Sequence, residues 1–275
     1  MTTDHQWQDP VKTTNVLGLR VAALTRKGAV SRILADVRDG RRGYVCVSGA
    51  HSVIECRADP DLARIHNQAT LTVADGMPLV WALRSDGHSQ AERIYGPDLM
   101  LSVIDASQDS GIGHFLYGTT PEVLDQLRAN LQRRFPGAHV AGSFAPPFRP
   151  LTADEETDIA RMIDDSGAGI VWVGIGCPKQ ERWMARMRDR LQAPMLIGVG
   201  AAFDFHAKGK LQAPAVMQRN GLEWLFRLVT EPRRLWRRYA RTVPAYLLLR
   251  GLQRSGLRRF PIAHDPDHMP HRMQP

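Results

Sequence analysis

The chain is poor in cysteine, in acid and in long apolar runs, and each shortage narrows what it can be. Its 275 residues hold three cysteines, Cys46, Cys56 and Cys177, with neither metal-ligand spacing nor a pairing pattern. That argues against a disulfide scaffold or zinc module and fits buried thiols in a reducing compartment. No apolar run approaches the roughly 20 residues that span a bilayer. The opening residues, MTTDHQWQDPVKTT, are polar and carry acids, so they do not read as a secretory signal. A cytoplasmic protein is expected. There is no internal repeat, no GxSxG elbow around a serine, and no carboxylate pair of the DxD type after a strand-like run. Asp59-Pro60-Asp61 has that spelling but reads as a turn opening a helix. His51 and His206 each follow a strand-like run, yet neither has further ligands at metal spacing. No metal and no cofactor are expected. Any leaving phosphate then has to be neutralised by arginines.

What is present is positive charge and an alternating pattern. The formal net charge of +8 points to an anionic partner: nucleic acid, nucleotide, diphosphate or lipid headgroup. A hydrophobic content of 43% is ample for a core. From about Tyr44 to Val199, short β-branched or apolar runs alternate with helix-periodic segments. This pattern predicts an α/β protein with a mostly parallel sheet flanked by helices. Right-handed crossovers bring the strand-end loops to one edge: 48–51, 75–78, 118–121, 174–180 and 200–204. A ligand cleft is expected there. Residues 1–15 read as a flexible leader, 16–220 as the α/β core, 221–262 as a basic amphipathic appendage and 263–275 as a disordered tail.

The stretch from Leu71 to Leu99 organises the rest. An apolar run, Leu71 to Ala74, breaks on Asp75-Gly76 and enters a helix with Pro78 in its first turn. Asp75 therefore stands at a strand end, either as a turn residue, a helix cap or a functional carboxylate. Arg93, Gly96 and Asp98 follow in a second polar turn. Gly174-Ile175-Gly176-Cys177-Pro178 is half of a dinucleotide fingerprint, but Lys179 stands where the third glycine belongs. That weakens a nicotinamide-dependent oxidoreductase reading. The glycines still let a phosphate or sugar approach a helix N-terminus, with Gln180 on its first turn. The arginine-rich appendage admits three readings: a solvated face, a nucleic-acid surface or a membrane surface. Leu247-Leu248-Leu249 beside Tyr246 and Trp236 favours the membrane.

Five blocks at fixed spacing then carry a resemblance. They are ADGMPLVWALR (74–84), ERIYGPDL (92–99), FLYG (115–118), VGIGCPKQERWM (173–184) and the run from Gly198 to Tyr239. Together they resemble the WecG/TagA/CpsF family, glycosyltransferase family 26, over nearly the whole chain from about Gly18 to Tyr239. The resemblance implies a Rossmann-like core and inverting, metal-independent transfer of a sugar from a UDP donor. The implied acceptor is a polyprenyl-diphosphate-linked saccharide at the cytoplasmic face of the membrane. It gives Asp75 the role of general base, Arg93 that of a functional site residue, and Gln180 a place in the substrate site. Arg227, Arg234, Arg237 and Arg238 become candidates for the donor diphosphate. Gly76, Asp98, Gly118, Gly174, Gly176, Asp204 and Glu223, within the matching blocks, become candidates for substrate binding. One block departs: the family's Thr-x-Asn reads Ser48-Gly49-Ala50-His51 here. Ser48 keeps the hydroxyl, and His51 offers a polar group one residue late, so the sugar is left open. Removal of everything after Asn220 is expected to abolish transfer and leave the core folded. Exposed apolar faces on the appendage would also serve a second copy of the chain.

Overall fold

A computed structural model describes residues 10–209, 213–214, 216–217 and 220–262, with the side chain of Arg234 outside the description. The leader up to residue 9 and the tail from 263 therefore lie outside the described residues. Six apolar runs form one parallel sheet: β3 (Gly43–Ser48), β4 (Leu71–Ala74), β5 (Gly113–Gly118), β6 (His139–Phe144), β7 (Ala168–Gly174) and β8 (Met195–Gly198). The spatial order is β4-β3-β8-β7-β5-β6. All neighbours run parallel. A parallel sheet needs helices on both faces, which is why the inner runs are apolar on consecutive residues, while the edge strand β6 is half-exposed and mixed. Val45, Leu116, Ile170 and Trp172 pack on one face, while Cys46, Phe115, Tyr117, Val171 and Val173 pack on the other.

Among the described residues, nine helices belong to the core. They are α1 (Arg26–Arg38), α2 (Ala50–Ala58), α3 (Pro60–Gln68), α4 (Met77–Ser85), α5 (Gly96–Ala106), α6 (Pro121–Arg134), α7 (Ala153–Asp165), α8 (Lys179–Met187) and α9 (Ala202–Lys208). Local chemistry starts several of them. Thr25 Oγ1 accepts from Gly28 N at 3.0 Å ahead of α1. Asp59 Oδ1 accepts from Leu62 N at 3.0 Å in α3. Thr152 and Glu155 exchange a capping box at α7, as the Thr-Ala-Asp-Glu spelling predicts.

Two features differ from expectation. Residues 13–15, read as the end of a flexible leader, instead form β1 (Thr13–Val16), paired antiparallel with β2 (Leu19–Ala22). The turn residues Leu17 and Gly18 both have positive φ, 54° and 94°, the geometry a two-residue hairpin prefers. The appendage, expected as a separate piece, is fastened to the core. It comprises α10 (Glu223–Thr230) and α11 (Pro232–Arg254). Tyr246 is buried, and its hydroxyl donates to Pro78 O at 3.0 Å. Arg250 pairs with both oxygens of Asp86 at 2.9 and 3.0 Å. Gln253 Oε1 accepts from Leu17 N at 3.1 Å, and its Nε2 donates to Asn15 O at 3.0 Å. The hairpin is thus the seat of the far end of α11. No helix among the described residues is long and apolar enough to cross a membrane.

Candidate active site

The carboxyl ends of the strands form one edge, and two cavities open along it. The smaller, about 150 Å³, lies at the ends of β4 and β3 beneath the appendage. Asp75 follows β4 directly. Its N–H donates to Ser48 O at 2.9 Å, which ties the two strand ends together. Its side chain accepts from Gly96 N at 3.4 Å, at the start of α5. Arg93 folds back and donates from Nε to the Asp75 carbonyl at 2.6 Å. Burial pushes the Asp75 carboxyl above the ordinary carboxylate range. The Arg93 and Arg227 charges and the Gly96 N–H pull it down, and Glu223 pushes it up again. A carboxylate so placed is a better proton acceptor than one in water.

The appendage closes this cavity with charge. Spacing i to i+4 on α10 stacks Glu223 and Arg227, whose groups meet at 2.7 Å. Glu223 also pairs with Arg93 through its other oxygen. Arg227 donates to Tyr95 Oη at 2.8 Å. The Arg93 guanidinium lies 4.3 Å from the centre of the same tyrosine ring. Both arginines are therefore held in place before any ligand arrives. His51, in the first turn of α2, lines the same cavity with Gly76. Burial and the nearby Arg238 and Arg227 charges pull its imidazole down to about 4, so it is neutral at physiological pH. Arg238 completes the lining. The chain enters α10 through Gly221, where φ is +70° and a Cβ would lie 2.7 Å from Trp81. Only glycine fits that approach.

The larger cavity, about 710 Å³, lies at the ends of β8, β7 and β5. Gly174, Gly176, Gly200 and Asp204 line it, together with Tyr117 and Trp183, whose rings stack at 4.1 Å. Lys179, Arg182, Arg186 and Lys208 give its wall a positive character. Its volume is in the range that holds a nucleotide-sized ligand, whereas the smaller cavity suits a single ring.

The structure thus brings His51, Asp75, Gly76, Arg93, Glu223, Arg227 and Arg238 together in one cavity, and Gly174, Gly176 and Asp204 in the other. Gln180 is buried behind the wall, its Oε1 accepting from Gly200 N at 3.0 Å. Four further candidates line neither cavity. Ser48 is fully buried, and its Oγ has no hydrogen-bond partner among the described residues. Asp98 faces outward in the first turn of α5 and meets Arg26 at 3.5 Å. Gly118 is buried against β7, where a Cβ would lie 2.6 Å from the Gly174 backbone, so its role is strand packing. Arg237 is exposed and lies over the Trp236 ring at 5.5 Å. Arg234 belongs to α11, but its side chain is outside the described residues. Residue-type reasoning missed Tyr95, Trp224, Tyr239 and Thr242. The last three line the small cavity, while Tyr95 anchors Arg227. The signal for the three aromatics was present only as aromatic residues near arginines in the sequence, and Thr242 gave none.

The model of the glycosyl transferase WecG/TagA/CpsF family matches residues 14–259 of the 275. The chain belongs to this family. Membership makes it a glycosyltransferase, an enzyme with a sugar donor and an acceptor to bind. The matched range takes in both cavities and the appendage that closes one of them. Asp75, Arg93, Glu223 and Arg227 all lie within it.

Proposed function

We propose that this glycosyltransferase moves a sugar from a UDP donor to a polyprenyl-diphosphate-linked saccharide at the inner face of the membrane, with inversion and without a metal ion. The reading rests on one observation: Asp75 lines a ring-sized cavity with two anchored arginines, and a larger cavity with a cationic wall opens on the same strand-end edge. The nucleotide takes the larger cavity, and the reacting sugar reaches toward Asp75. An acceptor hydroxyl oxygen attacks the anomeric carbon while Asp75 takes the hydroxyl proton. The bond from that carbon to the donor oxygen breaks, and its electron pair leaves on the diphosphate. Guanidinium groups stabilise that charge best through paired hydrogen bonds to phosphate oxygens. Arg93, Arg227 and Arg238 are the groups at hand. Outer faces of the appendage carry Leu225, Val229, Trp236, Leu247 and Leu248, all exposed, among arginines. Apolar side chains ringed by cations suit an anionic bilayer surface.

The test is a donor screen. The full chain is incubated with a panel of UDP-sugars and a short-chain lipid-diphosphate saccharide, with chelator present. Extended product with one donor, lost in Asp75→Asn, is the expected result. Product formation that needs an added divalent ion, or that survives in Asp75→Asn, overturns the mechanism.

A further inference from the structure

Behind the wall of the larger cavity lies a carboxyl group that the proposed chemistry does not use. Glu181 is 1% exposed, in the first turn of α8. Its Oε1 accepts from Gln180 Nε2 at 3.0 Å. Its Oε2 has no hydrogen-bond partner among the described residues. Gln180 is itself buried, and its Oε1 accepts from Gly200 N at 3.0 Å. Gly200 has a φ of +54° and lines the larger cavity. The amide is tightly seated, since a Cβ on Gly198 would lie 2.9 Å from its Nε2. Hence three groups run in series from the interior to the cavity wall.

We propose that Glu181 is a positioning residue for this enzyme: its carboxyl group sets the orientation of the Gln180 amide, and that amide fixes Gly200 where the donor meets the wall. This inference rests on the donor reading of the larger cavity. A reversed amide would point an N–H donor at the Gly200 N–H, so only one orientation holds the wall. Glu181 selects that orientation by presenting an acceptor to Nε2. A buried oxygen without a partner is tolerable on a neutral acid and costly on an anion. Burial pushes the Glu181 carboxyl up, hydrogen bonding from its own backbone N–H, Gln180 and Cys177 pulls it back, and Glu55 on α2 pushes it up again. Cys177, Cys46 and Cys56 surround it and are pushed up as well. Glutamine at position 181 offers Gln180 Nε2 the same carbonyl acceptor, so it is the conservative replacement.

The full chain is tested as wild type, Glu181→Gln, Glu181→Leu, Gln180→Leu and the double leucine variant. Three quantities are read: the donor KM against kcat, UDP affinity by calorimetry, and hydrogen exchange at the Gly200 amide. Glu181→Gln should stay within about twofold of wild type in all three. Glu181→Leu should raise the donor KM, weaken UDP binding and speed Gly200 exchange, each about tenfold, with kcat little changed. In the Gln180→Leu background, Glu181→Leu should add nothing. Should Glu181→Leu fail to fold, Glu181→Asp, which withdraws the carboxyl by one methylene, must show the same losses. The inference is overturned if Gly200 exchange and KM are unmoved, if Glu181→Gln behaves like the leucine variant, or if the two leucine effects add. A wild type that binds no UDP sinks the donor reading of the cavity instead, and Gly200 exchange alone then decides the role of Glu181.

Discussion

Asp75 is set against its own ionisation, and that has two measurable consequences of opposite sign. Burial raises its folded pKa above the ordinary value near 3.8. A carboxyl group with a raised folded pKa binds its proton more tightly in the native state. Its stabilising contribution is full below the unfolded value and is lost as pH rises through the folded one. Replacement by a neutral amide removes that loss. Asp75→Asn is therefore expected to unfold at a higher temperature than wild type at neutral pH, with the gap closing as pH falls below the ordinary carboxylate range. Turnover should fall about 10²–10⁴-fold in the same variant if Asp75 is the proton acceptor proposed above. In wild type, the acid limb of the rate profile should lie above 3.8. A more stable but inactive variant separates chemistry from folding; equal losses of both would put Asp75 in the scaffold.

Two histidines work the other way. His114 is fully buried, its Nδ1 accepting from Trp172 Nε1 at 3.1 Å, so the ring proton sits on Nε2 beside Ser107 Oγ at 2.9 Å. Burial, then the His139 charge, pulls it down to about 4, the value His51 also has. Between about 6.5 and 4 the unfolded chain takes up protons that the native chain refuses. Stability therefore falls on acidification across that window. Denaturant midpoints should drop from pH 7 to pH 4.5, and drop less in His51→Gln. At this scale the sequence made Asp75 legible, because Asp-Gly after an apolar run can be placed at a strand end. It left Glu181 illegible, because an acid in the first turn of a helix ordinarily faces water. Gly118 was misleading for a related reason: glycine at a strand end serves close strand packing as readily as ligand approach.

Helix starts with local signals were legible, those of α7 and α8 among them. The capping box at Thr152 fixed α7 in advance because both of its partners are local. Strand β1 was not legible. Thr13-Thr14-Asn15 is polar, and what makes it a strand is distant: Asn15 Nδ2 donates to Phe260 O at 2.7 Å, and Gln253 seats the following turn. The carboxyl end of β6 carries Gly142 and Ser143, and it runs to Phe144 because of pairing with β5 and the stacking of Phe144 on Tyr117 at 6.3 Å. Gln253→Ala tests the long-range part. It leaves the Leu17 N–H and the Asn15 carbonyl without their partner beneath α11, which should cost about 1–3 kcal/mol. Chemical denaturation reads this directly. Thr152→Ala, by contrast, removes a cap at an exposed helix start and should cost about 1 kcal/mol.

For the molecule as a whole, the appendage is both lid and core. Leu235, Thr242 and Tyr246 are buried along the inner side of α11, spaced at helical intervals, while Trp236, Leu247 and Leu248 are exposed. Tyr246 and Phe260 pack with Leu17, Val53 and Leu79. Cutting the chain after Asn220 would uncover those groups, so truncation cannot separate a membrane role from a folding role, contrary to the simpler expectation from the sequence. Substitution of the outer face can. Leu247 and Leu248 are each 64% exposed, so Leu247→Glu with Leu248→Glu should change stability by no more than about 0.5 kcal/mol. Burying a leucine in a bilayer interface is worth about 1.5–3 kcal/mol. The double variant should therefore lose at least about tenfold in binding to anionic vesicles, and more where the new acids meet like-charged headgroups. Calorimetric affinity for UDP in solution should not move, since neither leucine lines a cavity. Sedimentation with vesicles of anionic and zwitterionic lipid, at low and high salt, distinguishes the outcomes. Binding that depends on anionic lipid, weakens with salt and fails in the variant assigns this face to the membrane. Unchanged sedimentation removes the membrane from the mechanism and leaves the arginines of the appendage to the donor alone.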